Sequence, residues 1–124
     1  MPTHNVTING TLSSTSVPLY MTNNFVSNGG AFAFGGSADL TGLNSIRCNH
    51  TSGTIDIPAV TTKFLRCEGT NGTTRATGNL TLTTELQVDS GTTFNANGNT
   101  INVKNTDVNG GTLDLRNSTY LGST

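Results

Sequence analysis

The chain has 124 residues, a formal net charge of −1, 32% hydrophobic and 10% charged side chains, and just over half of it is Thr, Asn, Gly and Ser. That allows one domain with a modest core and argues against disorder, because disordered chains of low hydrophobicity usually carry high charge. With no basic excess and no long apolar run, neither nucleic acid nor an acidic membrane surface is an expected partner, and no bilayer span is predicted.

The order of the chain is read from alternating apolar pairs. After a segment 1–21 that departs from strict regularity, apolar positions fall at Phe25, at Phe32 and Phe34, and at Leu40. The same sequence of pairs restarts at Ile46 and Cys48, continuing to Ile55, Ile57 and Val60. It restarts again at Leu65 and Cys67, passes a weak polar stretch near Thr73, and reaches Leu80 and Leu82. The clearest round is Leu86 and Val88, then Phe94 and Ala96, then Ile101 and Val103. Leu80-Thr81-Leu82 and Ile101-Asn102-Val103 are the same pattern 21 residues apart. Extending backward, Leu19 falls at the place of Leu40, Val60, Leu80 and Ile101. Extending forward, Val108 opens an incomplete round with Leu113 and Leu115.

Alternation in short runs predicts strands, and three such runs per repeat predict a three-sided parallel β-helix of about five to six coils. Its expected parts are an N-terminal cap or attachment segment 1–21, regular coils over 25–107, and a C-terminal partial coil over 108–124. Inward positions take apolar or small residues, while outward ones such as Asp56, Thr81, Gln87, Asn102 and Asp114 need only be soluble. Corners are expected at Asn28-Gly29, Gly35-Gly36, Asn71-Gly72, Asn97-Gly98 and Asn109-Gly110, where positive φ or side-chain hydrogen bonds turn the chain. Asn-Gly is also the favoured hairpin turn, so an antiparallel β-sandwich or jelly roll is the alternative. The steady position of the third pair in each repeat favours the solenoid. Helix is disfavoured throughout, with a single turn at most over 38–46.

The residues that could carry chemistry are few. Ile46-Arg47-Cys48 and Leu65-Arg66-Cys67 align so that Cys48 stacks beneath Cys67 with Arg47 and Arg66 outward, and the two cysteines are expected as reduced, buried thiols, a disulfide being the alternative. Neither His4 nor His50 stands at zinc-site spacing, and both are expected in solvated loops. Polysaccharide cleavage needs paired carboxylates in a groove. Of the seven acids, only Asp56 and Asp114 fall outward on expected strands, so neither catalysis nor a cofactor is expected. Thr81-Leu82-Thr83 does not recur in register on neighbouring coils, which argues against an ice-binding Thr-x-Thr face. Sequons such as Asn5-Val6-Thr7, Asn49-His50-Thr51 and Asn79-Leu80-Thr81 follow from composition alone.

With Gly78-Asn79-Leu80-Thr81-Leu82 and Gly98-Asn99-Thr100-Ile101-Asn102-Val103 as its repeat, the chain resembles the short Thr/Asn/Gly-rich β-helical proteins of bacteriophage virions. These are head decoration or cement proteins and the β-helical parts of tail spikes and fibres. The resemblance implies a non-enzymatic virion surface protein, made in the host cytoplasm, that binds the major capsid protein lattice as a homo-oligomer, expected to be a homotrimer. A glycan-binding fibre or adhesin fragment is the alternative. Docking is expected where aromatic and Met side chains concentrate, at Val17, Leu19, Tyr20, Met21, Phe25, Phe32 and Phe34.

Overall fold

The computed structural model describes residues 5–8, 19–22, 31–34, 45–50 and 52–122. The twelve strands among them are β1 (Asn5–Ile8), β2 (Leu19–Thr22), β3 (Ala31–Phe34), β4 (Ile46–His50), β5 (Thr54–Ile57) and β6 (Val60–Gly69), then β7 (Gly72–Ala76), β8 (Leu80–Asp89), β9 (Thr92–Asn95), β10 (Thr100–Asn109), β11 (Thr112–Asp114) and β12 (Thr119–Gly122). Every strand pair is parallel, in sheets of order β12-β10-β8-β6-β4-β2, β11-β9-β7-β5 and β1-β3. The fold is an all-β parallel solenoid of about four turns, and the sandwich is not formed.

Three sides arise from two sheets because β6, β8 and β10 each bend in the middle. Register slips between Thr62 and Phe64 on β6 and between Val103 and Asn105 on β10. At that corner Lys63 or Lys104 stands against two residues, Thr83 and Thr84, of β8. A bulge of this kind turns a strand and re-aims its side chains. One side therefore comprises 46–50, 64–69, 85–89 and 105–109. The second is β5, β7, β9 and β11. The third is 60–62, 80–82, 101–103 and 120–122.

Parallel register stacks like positions into columns. Ile46, Leu65 and Leu86 form one inward column, and Cys48, Cys67 and Val88 another. Val60, Leu80 and Ile101 form the third-side column, while Ile55, Thr74 and Phe94 stack on the second side. Apart from half-buried Val60 these are buried, and among the described residues Phe94 is the largest fully buried side chain. Thr74 leaves room beneath Phe94, so volume is shared between coils rather than within one. Burying each Leu or Ile stabilises the fold by about 1.5–3 kcal/mol relative to exposure.

Some expectations need correction. Leu19 pairs with Ile46 and Met21 with Cys48, so β2 belongs to the first side and not to the Val60–Leu80–Ile101 column. The interval from Leu19 to Ile46 is 27 residues, longer than later turns, so counting back by 21 lost the register. Val6 and Ile8 pair with Phe32 and Phe34. Thr106, not Val108, takes the place of Leu86 in the last turn. Ile46 lies in a strand, which leaves no helical turn reaching it. Leu40 and Phe25 lie outside the described residues. Of the expected corners, Asn97-Gly98 turns with both residues at positive φ, and Gly110 is also positive.

Candidate functional site

The outward face of the first side carries a charge ladder. Arg47 stacks on Arg66, and Asn49 on Glu68. Arg47 is ion-paired with Glu68, and Arg66 donates from Nε to Asp89 Oδ2 at 2.9 Å. Gln87 Nε2 donates to the other Asp89 oxygen at 2.8 Å. On the second side Arg75 forks onto Asp56 at 2.8 and 3.0 Å. At the next corner Arg116 forks onto Asp114 at 2.9 and 2.7 Å, which holds the Asp114 carboxyl below its usual range. Glu68 and Asp89 thus join Asp56 and Asp114 on outward positions, a correction to the expectation that only the latter two face out. Alternation along 64–69 and 85–89 carries the signal for it, once the bulge is known to reset the phase.

A column of Thr54, Thr73, Thr93 and Thr112 runs up the second side. It alternates with Asp56, Arg75, Asn95 and Asp114. The face therefore carries one Thr column rather than a double Thr ladder. Beside it, a polar groove of about 350 Å³ is lined by Asn95, Asn97, Gly98, Asp114, Arg116 and Asn117. A second groove, of about 400 Å³, lies at the bulged corner and is lined by Ser45, Arg47, Lys63, Phe64, Arg66 and Thr84.

His50 is not a solvated loop residue: it is 1% exposed. As the third inward position of β4, two residues beyond Cys48, it reaches the second side, where its Nε2 lies 2.8 Å from Thr74 Oγ1. The ring packs against the Gly72 backbone, and its Nδ1 is buried with no hydrogen-bond partner. Burial lowers its pKa from the ordinary 6.5. The unfolded chain therefore binds a proton below about pH 6.5 that the folded chain refuses, and stability from this group is lost as pH falls. Thermal unfolding between pH 7.5 and 5.0 should show a falling Tm in the parent and a flatter profile in H50Q. Equal slopes in both would show that His50 does not set this dependence.

Cys48 and Cys67 stack in register, both fully buried and free. Burial pushes the Cys67 thiol up to about 12 and that of Cys48 well above its ordinary value, so neither is a thiolate near neutrality. Ala at both positions should cost about 1–2 kcal/mol and leave the coil intact by circular dichroism. A two-hydrogen mass deficit in protein unfolded without reductant would contradict the reduced state. Among the described residues no group of three or more His, Cys, Asp or Glu is arranged to hold a metal ion.

The last turn differs from those below it. Its inward positions include Thr106, Val108, Leu113 and Tyr120, and Leu115 also packs against the core. Val108 is 41% exposed and, on the outer face, Leu121 is 51% exposed. Leu113, Leu115 and Tyr120 are only partly buried, and Thr106 and Tyr120 join hydroxyls across the turn. Tyr120 is thus a core-side residue.

The expected docking residues are placed in part. Leu19 and Met21 take register positions below buried Ile46 and Cys48, and Tyr20 lies in register with outward Arg47. Phe32 and Phe34 belong to β3, and Val17, Phe25 and His4 lie outside the described residues. The exposed apolar last turn was missed by sequence reasoning, although the signal was present in Val108, Leu113, Leu115 and Leu121. No family model, curated protein or solved structure matches the chain.

Proposed function

We propose that this protein is a non-catalytic building block of a virus particle, a bacteriophage capsid decoration or cement protein that binds the major capsid protein lattice as a homo-oligomer, with a homotrimer as the working unit. The last turn carries this reading. A repeat built to face water carries polar residues on its outer surface, whereas this one keeps Val108, Leu113 and Tyr120 at inward positions, packs Leu115 against the core, and exposes Val108 and Leu121. Apolar side chains beside unpaired strand edges favour cover by further polypeptide, which this reading assigns to the capsid lattice.

The outward acids support a structural role. Asp56, Glu68, Asp89 and Asp114 are each ion-paired with an arginine, so their oxygens are engaged in contacts that hold the coil wall. The near-neutral chain also favours attachment by apolar burial that varies little with salt. The virion surface is the location this reading assigns.

Immunogold labelling and proteomics of virus particles purified from the source test it. The expected result is a regular shell label at a copy number matched to the lattice. Label absent from particles and confined to cell fractions would overturn the proposal. Val108→Asp should fold but lose attachment, because a carboxylate at a desolvated interface centre costs about 2 kcal/mol or more. Undiminished attachment would place the docking surface elsewhere.

A further inference from the structure

The groove at the bulged corner is separate from the last turn. Three of the six cationic side chains in a chain of net charge −1 line it, namely Arg47, Lys63 and Arg66. The fold puts them there by two devices: register stacks Arg47 on Arg66, and the bulge places Lys63 where the third side turns into the first. Phe64, the next residue, is half-buried and contributes apolar wall. Ser45 and Thr84 add hydroxyls.

The neighbouring carboxylates act from outside the groove. Glu68 and Asp89 are 12% and 18% exposed, pair with the two arginines, and are not part of its lining. They hold the guanidinium groups in place and offset part of their charge. Arg66 engages them through Nε and Nη2, which among the described residues leaves Nη1 as a donor. Lys63 is exposed and has no ion-pair partner among the described residues. Glu85, opposite Phe64 on the next coil, also lies outside the lining. Fixed guanidinium groups recognise phosphate and sulfate oxygens by paired hydrogen bonds, and an apolar ring wall favours a ligand that carries its anion on a ring.

We propose that this groove binds a ring-borne oxyanion ester, a phosphate or sulfate, with the anion against Arg47, Lys63 and Arg66 and the ring against Phe64. Amide NMR titrations with phenyl phosphate, phenyl sulfate and inorganic phosphate test it on the full chain. Both esters should give saturable shifts at Ser45, Arg47, Lys63, Phe64, Arg66 and Thr84, with inorganic phosphate binding more weakly at the same amides. Tighter binding of the phosphate ester would identify a dianion site, and parity would identify a site for either ester. Lys63→Ala, at an exposed position, should keep the spectrum dispersed and weaken both esters about threefold to fivefold. Phe64→Leu should reduce the esters toward inorganic phosphate and leave the latter unchanged. Non-saturating shifts, shifts spread equally to Arg75, Lys104 and Arg116, or unchanged affinity in Lys63→Ala would overturn the proposal.

Discussion

Leu80→Asp should abolish folding, whereas Thr81→Asp should leave it intact. Leu80 is 1% exposed and stacked between Val60 and Ile101. A carboxylate there has no cation to meet within the column, and its burial costs about 4 kcal/mol or more, a large part of the 5–15 kcal/mol that holds a domain of this size. The neighbouring position points the other way. Thr81 lies between Thr61 and Asn102, so an added charge faces solvent and no like charge, and the change should stay within about 0.5 kcal/mol. Soluble yield and the far-ultraviolet β signal of the two variants check this. Similar behaviour of the pair would contradict the register on which every column rests.

Gly69→Ala should cost about 3 kcal/mol, because two penalties fall on one atom. Gly69 turns the chain at φ +113, a conformation L side chains rarely adopt, and an added Cβ would fall onto the His50 carbonyl oxygen of the coil below. That oxygen accepts from Thr70 N–H at 3.0 Å, so it cannot retreat without breaking the bond between coils. Gly98→Ala provides the comparison. Gly98 also has positive φ, but the nearest atom to its Cβ would be 3.8 Å away, so only the backbone penalty of about 1 kcal/mol applies. Denaturant unfolding of both variants should separate them by about 2 kcal/mol. Equal losses would mean that the coils are not packed tightly at the Gly69 corner.

The solenoid was legible in the sequence because stacking makes each coil copy the one below. Cys48 under Cys67 and Leu80 under Ile101 follow from spacing alone, and the structure has both. What failed depended on facts a period cannot carry. Leu19 was misplaced because the interval from β2 to β4 is longer than the rest, and extra residues between strands leave no trace in the alternation. His50 read as a loop residue because a lone polar side chain beside a corner looks solvated, yet Thr74 one coil on supplies its partner. The arginine ladder was half visible. Arg47 and Arg66 were read as outward, but their carboxylates stand two positions along and, for each arginine, one coil up, a diagonal that strict columns do not suggest. The apolar last turn was read as a fading repeat, because its composition differs little from the buried turns and only its exposure distinguishes it.

Hydrogen–deuterium exchange of the protein, free and attached to virus particles, tests the central claim most directly. Attachment through the last turn predicts slowed exchange over 104–109, 112–114 and 119–122, with 46–50 and 65–67 equally protected in both states. Particle-bound protein whose last turn exchanges as fast as in the free state would contradict it.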